Sequence, residues 1–383
     1  MVLKTLKSLS LKEKKVLVRV DFNVPIKDGK VTSDKRIRAA LPTLKYILSK
    51  GASQLILISH LGRPKGKPDK KYSLTPVAKK LQALIKSKVY FANDCIGVEI
   101  PEPSKSKIVL LENLRFHEEE KKNDITFAKK LASYANVYVN DAFGTSHRKH
   151  ASVYAITKYL PSAAGFLLES EIKNLNLKNT KHPFVVLLGG AKVSDKIGVI
   201  KNLSKKADTI LVGGAMIFTF FKALGMETGK SLVEDDKLEL ALKLLKTSKR
   251  KIVLPVDVVC ASSMKSTKFK VYDINNHPKN MIGLDIGPET IDIYSSILKK
   301  SKTIIWNGPM GLFEQEPYDV GTNSLAKVIA NSNAKSVIGG GDSVAAIEKL
   351  KLSSKMSHVS TGGGASLELM EGKVLPGIKA LTK

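Results

Sequence analysis

Acidic residues are scarce in this chain. Thirty-five Asp and Glu stand against 63 Lys and Arg, a formal net charge of +28 over 383 residues. Such an excess can mark a nucleic-acid surface. Yet the arginine and aromatic interleaving, zinc spacing or RNP-like pattern that would build one is missing. The surplus is dispersed, +18 over residues 1–160 and +10 over 161–383, mostly as lysine on polar helix faces such as KKLQALIKSK and KKLASYANV. A solvated lysine surface is expected, with no physiological nucleic-acid partner. Cysteine is nearly absent: Cys95 and Cys260 fit neither a zinc spacing nor a C-x-x-C redox pair and read as buried or incidental thiols. No run of 18 apolar residues occurs, and the basic N-terminus lacks a continuous apolar stretch. Neither a membrane span nor a secretory leader is therefore expected, and the chain reads as cytoplasmic. Also missing are the Walker loop G-x-x-x-x-G-K-[ST] and a G-x-G-x-x-G turn with an acidic residue at the right offset. Their absence argues against a standard P-loop NTPase and an NAD-dependent oxidoreductase.

Hydrophobic residues, 43% of the total, run along the whole chain. The length exceeds what one core usually supports, so two domains are expected. Strand-length apolar runs recur as VLVRV (16–20), LILIS (55–59), VYF (89–91), IVLL (108–111) and VYV (137–139), then VVLL (185–188), ILV (210–212), IVLPV (252–256), TIIW (303–306), SVI (336–338) and HVS (358–360). Amphipathic segments such as PVAKKLQALI and DDKLELALKLLK separate most of them. This alternation predicts two doubly wound α/β domains with parallel sheets. Pro161 and the NTKHP segment interrupt it, which suggests a helical connector over 166–182. The same helix could instead cover one larger sheet.

Glycine gathers at the ends of the second-half strands, in LLGGAK, LVGGAM, IIWNGPMG, VIGGGDS and VSTGGGAS. If those strands lie side by side, their glycines line one edge where backbone N–H groups can approach phosphate oxygens. Asp342 follows three glycines and precedes Ser343. A carboxylate beside phosphate needs a cation between them, so Asp342 is the candidate contact for Mg²⁺ carried by a nucleotide, while a helix N-cap by Asp342 or Ser343 remains compatible. The first-half strand ends carry Arg19, Asp21 and Asn23, then Arg36 and Arg38, His60 and Arg63, Arg115, and His147 with Arg148. Arginine forks suit carboxylate and phosphate oxygens, which indicates a small polyanionic substrate. His60 could equally cap a loop. Lys192 and Lys196 follow the Gly189-Gly190 pair. Cations at a helix N-terminus lose up to about 1 kcal/mol each against the dipole. On one helix face, four residues apart, they make most sense facing polyphosphate, though a solvated lysine pair flanking Asp195 is the plainer reading.

The motifs RVDFNVP, SHLGRP, LENLRFH, NDAFGTSHR, LGGAKVSDKI, GLDIGP, WNGPMGLFE, IGGGDS and HVSTGGGASLELMEGKVLPG occur in this order over nearly the whole chain, which resembles phosphoglycerate kinase from end to end. The resemblance implies two Rossmann-like doubly wound parallel-sheet domains facing a cleft. Residues 1–165 would bind phosphoglycerate, 166–182 form the interdomain helix and hinge, 183–370 bind nucleotide, and 371–383 return to the first domain. It further implies reversible phosphoryl transfer from 1,3-bisphosphoglycerate to Mg·ADP, giving 3-phosphoglycerate and Mg·ATP, by a monomer. Substrate contacts carried over are Asp21, Asn23, Arg36, His60, Arg63, Arg115 and Arg148. Nucleotide contacts are Gly190, Lys196, Gly214, Asn307, Pro309, Glu314, Gly340, Gly341, Asp342 and Ser343, with Pro309 near adenine, Glu314 on the ribose and Asn307 and Ser343 near the phosphates. Arg36, Lys192, Gly341 and Gly364 would be catalytic. The lysine surplus exceeds what the resemblance implies. The alternative reading is a non-enzymatic polyanion-binding protein that uses this surface.

Overall fold

The computed structural model describes residues 2–177 and 180–382, so residues 178–179 of the expected connector lie outside the described residues. Contacts divide the chain into two compact units, Met1–Lys173 with Val374–Lys383, and Asn174–Lys373. The first crossing falls inside the segment assigned above to the connector. The return falls three residues after the expected tail boundary at 371. Among the described residues, no helix is long and apolar enough to cross a membrane.

The first unit is built on six parallel strands: β1 (Lys15–Val20), β2 (Gln54–Ile58), β3 (Val89–Phe91), β4 (Ile108–Leu110), β5 (Val137–Asp141) and β6 (Ser162–Ala164). They pair in the order β3-β4-β2-β1-β5-β6. Helices α1 (Lys35–Ser49), α2 (Thr75–Ile85), α3 (Glu118–Lys122) and α4 (Ile125–Ala132) accompany them. Strand residues alternate between two cores. Val16, Val18 and Val20 pack with Ile37 and Leu44 of α1 and Leu81 of α2. Leu17, Ile56 and Ile58 pack on the other face with Phe127 and Leu131 of α4. Coverage of both faces explains why these strands read as continuous apolar runs. Helix α5 (Phe166–Leu175) starts beneath β5, where Asp141 Oδ1 accepts from Leu167 N at 2.9 Å. The tail is held by Lys4 N donating to Leu381 O and Gly377 N donating to Ser146 O.

In the second unit, β7 (Phe184–Leu188), β8 (Thr209–Val212) and β9 (Ile252–Val253) are followed by an insertion of β10 (Asp257–Ala261), β11 (Phe269–Asp273) and β12 (Ile282–Ile286). The chain then completes the main sheet with β13 (Thr303–Asn307), β14 (Lys335–Gly339) and β15 (His358–Val359). The parallel order is β9-β8-β7-β13-β14-β15, which without the insertion is the doubly wound 3-2-1-4-5-6 arrangement. Its helices are α6 (Ile197–Leu203), α7 (Ile217–Ala223), α8 (Leu238–Thr247), α9 (Pro288–Lys300), α10 (Val320–Ala330), α11 (Gly341–Lys349) and α12 (Gly364–Met370).

The insertion corrects the sequence reading. IVLPV is not one strand: pairing stops at Val253, just before Pro255, which has no N–H to donate. The antiparallel sheet β11-β10-β12 was not expected, because β11 (FKVYD) is largely exposed and mixes charges with apolar residues. Asp285 of β12 joins this insertion to α10, its carboxylate accepting from Gly321 N at 2.7 Å and Ile286 N at 2.9 Å.

Burial pushes the Asp285 carboxyl up to about 8. The folded chain therefore holds this proton more tightly than the unfolded one, whose Asp titrates near about 3.9. The contribution of Asp285 to stability is full below about pH 4 and falls as pH rises towards about 8. Calorimetric melting of the wild type and Asp285→Asn should show a wild-type advantage that is larger at acidic pH than at pH 8. A pH-independent difference would contradict the assignment.

Candidate active site

In the first unit the sequence-derived polar residues collect beyond the C-terminal ends of β1, β2, β4 and β5. Asp21 follows β1 and accepts from Arg36, in the first turn of α1, at 2.7 Å. His60 Nδ1 lies 4.0 Å from the other Asp21 oxygen. Asn23 Oδ1 accepts from Gly62 N at 2.9 Å, and Arg115 donates to Gly62 O at 2.7 Å, so both brace the loop that carries Arg63. Arg63 and Arg148 are exposed, and Arg148 donates to His147 Nε2 at 3.2 Å. Two strand-end arginines are placed otherwise. Arg38 is tied to Asp34 one turn earlier, at 2.9 Å, in an exposed ion pair. Arg19 is fully buried within β1 and donates to Ser152 Oγ at 3.0 Å and to His60 Nδ1 at 3.2 Å.

Positive charge dominates this edge. Burial, then Arg19, Arg115 and Arg36, hold His60 well below the usual histidine range, so it is neutral. Since Nδ1 accepts from Arg19, its proton sits on Nε2. Burial and the neighbouring Arg19 and Arg148 push Arg115 down to about 10. An anion placed here would offset the desolvation of Arg115 and the mutual repulsion of the neighbouring arginines.

In the second unit the five glycine-rich ends belong to β8, β7, β13, β14 and β15, which are consecutive neighbours in the sheet. The sheet order reverses between β7 and β13, and there the two loops touch. A Cβ on Gly189 would stand 1.9 Å from Pro309 O, and one on Gly308 would stand 2.1 Å from Gly189 O. Only glycine permits this approach. Gly214 N donates to Met310 O at 2.7 Å, which joins the β8 loop to the same cluster. Gly340, at φ +90°, occupies the N-cap of α11 and lies beside Asn307. Gly341 faces open space. Gly364 likewise opens α12. Ser343 is buried and accepts from Gly308 N at 2.6 Å, so neither it nor Asp342 is the N-cap. Asp342 is exposed in the first turn.

Lys196 and Lys192 differ from expectation. Helix α6 begins only at Ile197, so the two lysines do not share a helix face. The preceding loop is held instead by Ser194, whose N–H and hydroxyl both bond Glu234, at 3.1 and 2.6 Å. Lys192 is exposed, whereas Lys196 is buried and donates to Asn307 Oδ1 at 2.5 Å. Burial lowers the Lys196 ammonium pKa against the opposing pull of Asp195, Asp342 and Glu371. Asn307 Nδ2 is a buried donor with no partner among the described residues. An ammonium and an unmatched amide donor at one glycine-lined edge fit an anionic oxygen.

Beside them a cavity of about 370 Å³ is lined by Gly190, Gly214, Pro309, Glu314 and Asp342 together with Ile217, Phe218, Leu284 and Leu312. Those four apolar residues were not singled out in the sequence, because nothing local distinguishes them from core. Leu284 reaches the cavity only through the unexpected antiparallel sheet. Arg19, Ser152 and Glu120 were also missed as a unit. Ser152 Oγ donates to Glu120 Oε1 at 2.6 Å and so links the buried guanidinium to a buried carboxylate. Elsewhere, Asp94, Cys95 and His117 each place one ligand-type atom within 4.8 Å of the others. Burial holds the Cys95 thiol well above its usual range, and His117 Nε2 bonds Asp94 Oδ1 at 2.7 Å, so this cluster reads as packing.

The family model for phosphoglycerate kinase matches residues 6–373. The phosphoglycerate kinase of Moorella thermoacetica is 51% identical over 389 residues, covering 99% of each chain. That of Chlorobium phaeobacteroides is 54% identical over 393 residues, again 99% of each. Among solved structures, phosphoglycerate kinase from Coxiella burnetii superposes with a TM-score of 0.91 at 41% identity, covering 99% of both chains. The enzyme from Pyrococcus horikoshii gives 0.85 at 33% identity, with 99% and 98% covered. Matches of this extent run through both units: the chain belongs to the phosphoglycerate kinase family and is a phosphotransferase of glycolysis and gluconeogenesis.

Proposed function

We propose that the first unit binds 3-phosphoglycerate or 1,3-bisphosphoglycerate and the second binds Mg·ATP or Mg·ADP, with the phosphoryl group passing between them. The observation that carries this reading is the buried Lys196–Asn307 pair with its unmatched Nδ2 donor, at the point where the second sheet reverses order. Lys196, Asn307 and the N–H groups at Gly340 and Gly341 receive the nucleotide phosphates. Ser343 supports them by holding the Gly308 loop. Pro309, with the apolar floor of the cavity and the glycines at 190 and 214, accepts the adenine. Glu314, exposed at the rim, takes the ribose hydroxyls. Asp342 meets the Mg²⁺ that the nucleotide brings.

In the first unit, Arg63, Arg115 and Arg148 surround the phosphoglycerate anion. Asp21 and Asn23 accept from its hydroxyl group or orient the arginines. His60 donates through Nε2–H. Arg36 is held by Asp21 at 2.7 Å and turns its remaining donors to the transferring phosphoryl group.

The nucleophile in either direction is a phosphate or carboxylate oxygen, already anionic near neutral pH, so no general base is required. Rate enhancement comes from alignment and from positive groups placed where charge gathers on the equatorial oxygens: Arg36, the exposed Lys192, and the N–H groups of Gly341 and Gly364. Lys192 is suited to this task because it is exposed, with Asp236 as a nearby opposite charge, whereas Lys196 is fixed by burial. We further propose a monomer acting in the cytoplasm.

The reading is tested by a coupled assay with 3-phosphoglycerate and Mg·ATP. Lys196→Ala should weaken nucleotide affinity by about tenfold or more while leaving 3-phosphoglycerate affinity near normal. Unchanged nucleotide affinity would remove Lys196 from the site. Lys192→Ala should instead lower kcat by about a hundredfold with Mg·ADP affinity retained. A loss confined to affinity would assign it to ground-state binding.

A further inference from the structure

The lysine surplus has a local focus at the opposite edge of the second sheet, where β13 and β14 begin. A cavity of about 550 Å³ there is lined by Lys299, Lys300, Lys302 and Lys327. An adjoining cavity of about 420 Å³ shares Lys302 and Asn333 and adds Lys181 and Lys335. The two are joined through the backbone, since Lys335 N donates to Lys302 O at 2.9 Å. All six lysines are exposed. Among the described residues no carboxylate lines either cavity, and none of the six ammonium groups has an ion-pair partner.

Helices α9 and α10 end here, and cations at helix C-termini are ordinary. Each C-terminus, however, carries only about half a negative charge, so together they offset about one of the six ammonium groups. The rest repel one another across a concave surface. That arrangement lowers in energy when a charge-dense anion enters.

We propose that this trough binds a compact multiphosphate anion. The lining contains no arginine and no aromatic side chain. It therefore offers bases nothing to stack on and lacks the extended arginine and lysine stripe that tracks a nucleic-acid backbone. Lysine ammonium groups with an amide at Asn333 suit phosphate oxygens on several sides. The site stands at the other end of the strands from the nucleotide phosphates and is independent of them.

The test uses the full chain at low ionic strength, with 3-phosphoglycerate and ADP saturating the two substrate sites, and inorganic tripolyphosphate as the calorimetric probe. Lys300→Gln with Lys302→Gln should weaken tripolyphosphate binding about tenfold without changing turnover. Lys243→Gln with Lys246→Gln, an equal charge change on exposed positions of α8, should weaken it by less than about twofold. Amide NMR shifts on titration should concentrate at residues 299–302 and 331–333. Equal weakening by both pairs, absence of binding, or shifts centred elsewhere would overturn the site in favour of diffuse surface charge. Tighter binding of duplex DNA than of tripolyphosphate, lost with the first pair, would overturn the multiphosphate assignment.

Discussion

Both parallel sheets are covered on their two faces, and this constraint organises everything polar in the protein. Strands such as Gln54–Ile58 and Phe184–Leu188 carry almost nothing but apolar side chains along their length, and the buried Arg19 in Lys15–Val20 is tolerated because Ser152 and His60 accept from it. Polar chemistry is displaced to the strand ends, where helix N-termini and loop N–H groups converge and create positive potential. Both candidate substrate sites occupy such an edge. They solve the same problem differently. The first unit gathers arginine forks there, which suit a small anion on the reading proposed above. The second gathers glycine, which on the same reading would let backbone N–H groups approach a chain of phosphates.

Two buried cationic side chains stand at these edges, Lys196 in the second unit and Arg19 in the first. An ammonium group taken out of water is unfavourable unless matched, and Lys196 is matched by a single oxygen, Asn307 Oδ1. The other face of that amide is left with an unsatisfied donor. In the first unit the guanidinium of Arg19 is satisfied through Ser152 and Glu120; burial, with the Arg19 contact second, keeps the His60 ring neutral, and that contact fixes its tautomer. Of the two, only the arrangement at Asn307 leaves a buried side-chain donor without a partner among the described residues.

What could be read from the chain follows the same physics. Runs covered on both faces are legible because burial on both sides demands uninterrupted apolar character, and Val185–Leu188 is an example. The exposed strand Phe269–Asp273 was not legible, since one solvated face allows Lys270 and Asp273 and blurs the pattern. The run IVLPV merged a strand with the residues after it, because apolarity alone does not mark where pairing stops. Arg38 and Arg148 look alike in sequence. One is engaged by Asp34 a turn away and the other projects from the loop after β5.

By itself the sequence determined the two-part α/β architecture, the family, and the division between an arginine-bearing half and a glycine-bearing half, because apolar periodicity and motif order are local properties of the chain. Tertiary structure alone decided that Lys196 is buried and Lys192 exposed. Their four-residue spacing suggests a shared helix face, but Glu234, forty residues away, holds Ser194 and delays the helix until Ile197. It also decided that Ile217, Phe218, Leu284 and Leu312 form one cavity floor, and that six lysines from four separate segments meet at the far edge of the sheet. Burial and charge density are properties of contacts between distant segments, and no window along the chain contains them.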